Sequence, residues 1–228
     1  MLKLFFWLLL SLSTPAHSTV ANEVIRQTVS IEVYAGSWHT VGAGTIISRP
    51  DATLLTGGRY SFKNYEQILT ADHVAEITQM YPSRACVLQR TWVNQQKECV
   101  LISKYVSNPS DKMESDWALF ELQSHLKGTK VASVSQFKPK IGAEVITIGT
   151  PDGLPSVNFG RVSWLQSDLV FVVDTFVRPG SSGGGLYDRR GNLIGIVIAV
   201  RIDIEDGITT VIEDRGIAIS ILSLMLKD

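Results

Sequence analysis

The sequence is poor in cysteine. Cys86 and Cys99 are the only two in 228 residues, and no CxxC occurs, which disfavours a zinc or thioredoxin-like site. It is equally poor in net charge: a formal value of −1 offers no electrostatic case for nucleic acid as a partner. Long amphipathic helical periodicity is absent from the body of the chain, as are repeats of solenoid length and low-complexity tracts. Beyond the N-terminus no apolar run approaches membrane-spanning length. With 45% hydrophobic and 19% charged residues a packed core is expected, and the length suits one large domain or one domain built from two halves.

What is present begins with MLKLFFWLLLSLSTPAHSTV. Lys3 supplies a short positive region, Leu4 to Leu12 an apolar run, and Ala16 and Ser18 small residues. This is the pattern of a secretory signal peptide, with an apolar run too short to span a bilayer comfortably and cleavage expected near Ser18. Residues 1–18 are set apart as the signal and residues 19–228 as the domain, exported to the periplasm or the exterior and without a membrane partner once the signal is removed. In such a compartment the two cysteines can pair. They lie in two apparent strands, RACVLQ and ECVLISKY, and a hairpin about Trp92 and Val93 sets them face to face. A cross-strand disulfide and two buried free thiols both stay open.

Short runs rich in Val, Ile and Thr recur between turn signals: TVSIEVYAG, VGAGTIIS, QILTADHV, WALFEL, EVITIGT, GRVSWL, LVFVVDT, NLIGIVIAV and GIAIS. In TVSIEVY, Val29, Ile31 and Val33 share one face and Ser30 and Glu32 the other. That is the pattern of half-buried strands, so an all-β barrel or sandwich is expected. The tail ISILSLMLKD is the best helix candidate. Arg49 to Asn64 and Ser107 to Ser115 are expected to be polar loops, with TLL a small strand inside the first.

The stretch RPGSSGGGLYD sets two serines against four glycines. Gly180-Ser181-Ser182-Gly183-Gly184 fits G-x-S-x-G, which in an α/β-hydrolase needs its histidine downstream. His17, His39, His73 and His125 all precede it, which removes that reading. A phosphate loop needs a lysine at the end of the glycine run and a helix beyond it, and neither is here. A third reading needs His, then Asp, then Ser, each at a strand end or loop. ILTADHV ends an apolar run at His73, and SDWALFEL opens one at Asp116. Asp111 competes with Asp116 in the same loop, but only Asp116 has an apolar strand directly behind it to hold a buried carboxylate. His73 and Glu76 could share a helical face, yet two ligands without a third make no metal site.

QILTADHV resembles the histidine motif of trypsin- and chymotrypsin-fold serine proteases, SDWALFEL their aspartate motif and RPGSSGGGL their serine motif. VGAGTIIS, EVITIGTPDGLPSVNFGRVS, GNLIGIVIA and GIAIS are similar, in order, to strands of the HtrA (Deg) branch. The resemblance runs from about Glu23 to Leu226. It implies two six-stranded antiparallel barrels with a boundary near 125–140, to which the tail adds a short C-terminal helix. It implies a serine endopeptidase without cofactor or metal, acting on polypeptide substrates. Ser182 would be the nucleophile, His73 the base and then the acid, Asp116 the group that fixes the imidazole, and the backbone N–H groups of Gly180 and Ser182 the oxyanion donors. Trimers are typical of that branch.

Some residues depart from the family. Ser181 stands where digestive proteases carry an aspartate and the HtrA branch usually an asparagine, so activation is expected not to require a freed α-amino group. Gly185 replaces the usual proline, and a more mobile loop is expected there. The chain ends at Asp228 without the PDZ domains HtrA proteins normally carry, so a PDZ-based substrate grip is expected to be absent. The specificity pocket should be lined by Thr175 to Val177 and Ile196 to Ala199, which favours cleavage after small or medium apolar residues. Two rivals remain: a protease fold that has lost catalysis and only binds, and an esterase using the same site.

Overall fold

The computed structural model describes residues 16–35, 38–55, 59–80, 85–88, 102–107, 113–122, 126, 128–135, 138–205 and 208–220. The expected signal segment therefore lies outside the described residues up to residue 15. From Ala16 to Ile25 the chain forms a helix, α1. Val24 and Ile25 at its end are buried in the core, so a cut near Ser18 would fall in the first turn and spare the residues that pack. Among the described residues no helix is long and apolar enough to cross a membrane.

The rest is almost entirely strand, as β-branched runs between turn signals lead one to expect. The first half contains β1 (Thr28–Ala35), β2 (Trp38–Leu55), β3 (Arg59–Thr70), β4 (Ala85–Leu88), β5 (Ile102–Ser107) and β6 (Ala118–Leu122), with helix α2 (Asp72–Met80) after β3. These strands form one six-stranded sheet in the order β4-β1-β2-β3-β6-β5. The second half contains β7 (Glu144–Gly149), β8 (Ser156–Leu165), β9 (Val170–Val173), β10 (Gly185–Asp188), β11 (Leu193–Glu205) and β12 (Ile208–Ser220). They form a closed barrel, β10-β11-β12-β9-β8-β7, with β7 pairing back onto β10. Of the two barrels expected, the second is closed and the first is, among the described residues, a six-stranded antiparallel sheet.

Two local expectations need correction, and a third falls partly outside the described residues. Arg49 to Asn64 is not a loop but the outer part of a long β2–β3 hairpin, paired from Arg49↔Tyr65 out to Leu55↔Arg59. The Gly-Gly turn signal at 57–58 and the flanking Thr, Leu, Tyr and Phe outweigh Pro50 and Asp51. Of the apparent strands around the two cysteines, the described parts pair as β4 with β1 and β5 with β6, at the two ends of the strand order, with β4 and β5 in contact, while the expected turn about Trp92 and Val93 lies outside the described residues. Cys86 on β4 is disulfide-bonded, as the first of the two open readings has it, and Cys99 lies outside the described residues. Lastly, the polar face of β1 is not solvated. Val29, Ile31 and Val33 are buried as expected, but so are Ser30 and Glu32, whose carboxylate accepts bonds from the Ser30 and Tyr34 hydroxyls. In the tail, Ile219 and Ser220 belong to β12, and the remainder of the expected helix lies outside the described residues.

One apolar core runs through both halves. Ile31, Ile46, Ile68 and Phe120 of the sheet join Ile148, Tyr187, Leu193 and Ile196 of the barrel, all removed from water, the aliphatic and Phe side chains each contributing about 1.5–3 kcal/mol by burial. A separate cluster including Val145, Phe171 and Leu186 fills the barrel interior. The expected mobility at Gly185 is not what its position shows. It is buried in β10, and the ring of Tyr187 occupies the place where a Cβ would go, with ring atoms 2.6 Å from it. Proline there would collide with that ring.

Candidate active site

His73 is the second residue of α2, and the first turn of a helix leaves backbone N–H groups without partners. Asp116 supplies one. It follows a 3-10 turn, Met113–Ser115, and precedes β6, so the strand behind it fixes the carboxylate over the helix end. Its Oδ1 accepts the His73 backbone N–H at 3.1 Å, and its two oxygens lie 3.2 and 2.9 Å from His73 Nδ1. Asp116 thereby holds both the helix terminus and the ring. With Nδ1 bound to the carboxylate, Nε2 is left as the basic nitrogen. The imidazolium is favoured: the hydrogen bond to Asp116 raises the His73 pKa most, partial burial opposes it, and the charges of Asp116, Asp72 and Glu76 add to the rise.

Arg178 to Ser181 make a tight turn closed by Ser181 N–H to Arg178 O at 2.9 Å. Proline and glycine occupy its two central positions, and Gly180 has φ +91°, which is the residue pattern of a type II turn. Beyond it the chain curls back on itself, with Gly184 N–H on Ser181 O at 2.9 Å and Gly183 N–H on Val197 O at 2.7 Å. The curl is clamped across the seam between the halves by Ala43 N–H, which donates to Ser182 O at 2.8 Å, and within the sheet the Thr70 hydroxyl donates to Ala43 O at 2.7 Å. Gly183 permits this approach. It has φ +84°, and a Cβ there would fall 2.1 Å from Ala43 O and 2.2 Å from Thr70 Oγ1. Gly183→Ala is therefore expected to destabilise the protein by roughly 4 kcal/mol, lowering the thermal midpoint by about 10 °C or more in a circular-dichroism melt. An unchanged midpoint would mean the seam tolerates a methyl group that this geometry forbids.

His73, Gly180 and Ser182 line one cavity of about 230 Å³ with Ile31, Val33, Gly42, Val74, Ile77 and Pro179. Ser182 Oγ lies 3.5 Å from Ile198 O, a weak bond, and among the described residues it makes none to His73. The N–H groups of Gly180 and Ser182, by contrast, donate to no protein acceptor among the described residues. The neighbouring serine is excluded as a nucleophile by its placement. Ser181 is buried, and its Oγ accepts the Arg178 backbone N–H at 3.3 Å.

The structure thus brings together His73, Asp116, Gly180 and Ser182, four positions spread over more than a hundred residues. It leaves out the rest. Asp111 and His125 lie outside the described residues, and the backbones of His17 and His39 lie in α1 and β2. Among the described residues no group of three or more His, Cys, Asp or Glu could hold a metal, so Glu76 adds charge near His73 but completes no cluster. Sequence reasoning missed Thr150. Its buried hydroxyl donates to Gly42 O at 2.8 Å and its N–H to Gly180 O at 3.3 Å. A threonine at a strand end carries no signal of such contacts.

The architecture is that of the chymotrypsin-like proteases. It is similar to Rv3671c from M. tuberculosis H37Rv in its inactive form, with a TM-score of 0.63 and 16% identity, covering 92% of this chain and 90% of that one. It is equally similar to the serine endoprotease from Yersinia pestis, with a TM-score of 0.63 and 19% identity, covering 92% of this chain and 64% of the other. At such identities the likeness is one of fold. Sequence carries it further: residues 55–196 match the trypsin-like peptidase domain, and the chain belongs to that family. Over 136 residues it is 29% identical to the periplasmic pH-dependent serine endoprotease DegQ of Escherichia coli (strain K12). That match takes in 47% of this chain and 30% of DegQ, so it spans under a third of the relative's length. The protein is HtrA-like within its family.

Proposed function

We propose that the protein is an exported serine endopeptidase that cleaves polypeptides through an acyl-enzyme, with Ser182 as nucleophile, His73 as base and Asp116 as its orienting partner. The observation that carries this reading is that His73, paired with Asp116, shares one cavity with Ser182, beside two backbone N–H groups that have no acceptor among the described residues. Ser182 Oγ attacks the scissile carbonyl carbon, and its proton passes to His73 Nε2. The new C–O bond leaves a negative oxygen, which the N–H groups of Gly180 and Ser182 receive; losing one such donor typically costs about 3 kcal/mol of barrier. Collapse expels the amine, protonated by His73. Water then hydrolyses the ester by the same route.

The weak Ser182–Ile198 bond favours the rival reading, a protease fold that only binds. A rotation about one side-chain torsion moves a hydroxyl from a 3.5 Å contact, and catalytic hydrogen bonds are often long before substrate arrives. The surroundings of the nucleophile fit apolar substrates. Thr175, Val177, Ile196, Val197 and Ile198 are all buried, and the Thr175 hydroxyl is taken up by Thr147 at 2.9 Å. A Cβ on Gly216 would lie 2.7 Å from a Val177 methyl, so valine fills space there and limits the depth available to a side chain.

A fluorophosphonate probe is expected to label the folded chain, and a peptide library to be cut mainly after small or medium apolar residues. A folded, unlabelled chain would establish the binding module instead. Cleavage mainly after Arg or Glu would overturn the specificity.

A further inference from the structure

We infer that Thr150 is a positioning residue for the oxyanion donors. The inference rests on the proposed hydrolysis and adds to it a side chain that touches neither substrate nor nucleophile. Gly180 supplies one donor from the centre of a turn that has two states. If the central peptide, Pro179–Gly180, turns over, a type II turn becomes type I, and the Gly180 N–H swings to the opposite side of the turn. The Pro-Gly pair favours the observed state, and its surroundings reinforce that preference.

The far peptide of the turn is held on both sides. Ser181 N–H donates to Arg178 O at 2.9 Å, while Gly180 O accepts from Thr150 N–H at 3.3 Å with the Thr150 hydroxyl 3.4 Å away. The space beneath is closed too. A Cβ on Gly180 would sit 3.1 Å from Pro151 Cα and 3.2 Å from Thr150 O, so the backbone at 150–151 packs directly on the turn. That loop is itself held in an uncommon conformation, with Asp152 at φ 55°.

Thr150 also reaches across the seam, where its hydroxyl donates to Gly42 O at 2.8 Å. The next residue, Ala43, holds Ser182 O at 2.8 Å. One buried side chain therefore ties the turn bearing one donor to the strand that clamps the residue bearing the other. Without it the sheet that carries His73 and the barrel that carries Gly180 lose a direct bond at the point where their relative placement sets the geometry.

The test compares Thr150→Val, which keeps the shape and removes the hydroxyl, with Thr150→Ser, which keeps the hydroxyl. Wild type and both variants are measured for kcat and KM on one peptide substrate and for inhibition by a peptide aldehyde that forms a tetrahedral adduct. For Thr150→Val we expect kcat and aldehyde affinity each to fall about tenfold with KM within about twofold, the size of one lost hydrogen bond. Thr150→Ser should stay within about threefold of wild type. Unchanged kcat in Thr150→Val would overturn the inference, as would equal losses in the two variants, or a loss confined to KM or to the thermal midpoint. Wild type that neither hydrolyses the peptide nor binds the aldehyde would overturn the proposed function itself, a distinct result.

Discussion

Replacing Ser182 with alanine is expected to lower peptide hydrolysis by about a millionfold while the protein stays folded, because in the proposed mechanism every covalent step begins at that hydroxyl. Its cost to the fold should be small. The side chain is only half-buried, and its one hydrogen bond among the described residues, to Ile198 O, is long at 3.5 Å. The residual rate should still exceed that in water by about a thousandfold, since the donors at 180 and 182 and the cleft remain. Single-turnover hydrolysis, fluorophosphonate labelling and a melting curve on the same preparation separate the possibilities. Labelling that persists in the alanine variant would move the nucleophile elsewhere and end the assignment.

Asp116→Asn is the second large effect. An amide can donate to Nδ1 where the carboxylate could only accept, which leaves the proton on Nε2, the nitrogen that must take it from serine. A rate loss of roughly ten-thousandfold is the size such a change has in a Ser-His-Asp triad. The pH profile carries a separate sign. His73 must be neutral to act as base, and its pKa is raised, chiefly by the hydrogen bond to Asp116. The rising limb of kcat/KM should therefore lie above the ordinary histidine range in the wild type and shift to lower pH in Asp116→Asn, where that bond and its charge are gone. The same shift acts on folding in the opposite direction. A raised histidine pKa gives stability that is full below the ordinary value and lost as pH rises through the folded one; with His73 45% and Asp116 24% exposed, solvent keeps that contribution small. A profile whose limb does not move between the two proteins would show that Asp116 does not set the base.

Much of the site could be read before any fold was known, for a physical reason. The proposed nucleophile loop needs glycines where backbone meets backbone, and a carboxylate held in place needs an apolar strand behind it. Gly183 and Asp116 are marked in that way. Strand content was equally legible, because Val, Ile and Thr at alternate positions have few other places to go. What lay hidden depends on contacts far apart in the chain. The burial of Glu32, the placing of β4 and β5 at the two ends of the strand order and the extension of the β2–β3 hairpin past Pro50 are decided by neighbours that no local pattern names. Thr150 belongs with them: its partners, Gly42 and Gly180, are 108 and 30 residues away.

The bonds that join the sheet to the barrel have a consequence for how the protein can fail. Ala43 to Ser182, Thr150 to Gly42 and the tight meeting at Gly183 all cross that boundary within the proposed site. In the proposed assignment neither lobe holds a finished site by itself, and a slight gap between them would part Ser182 from His73 before either lobe had melted. Loss of catalysis should therefore precede loss of structure on heating, which makes the hinge line between the lobes an obvious place for an inhibitor to wedge.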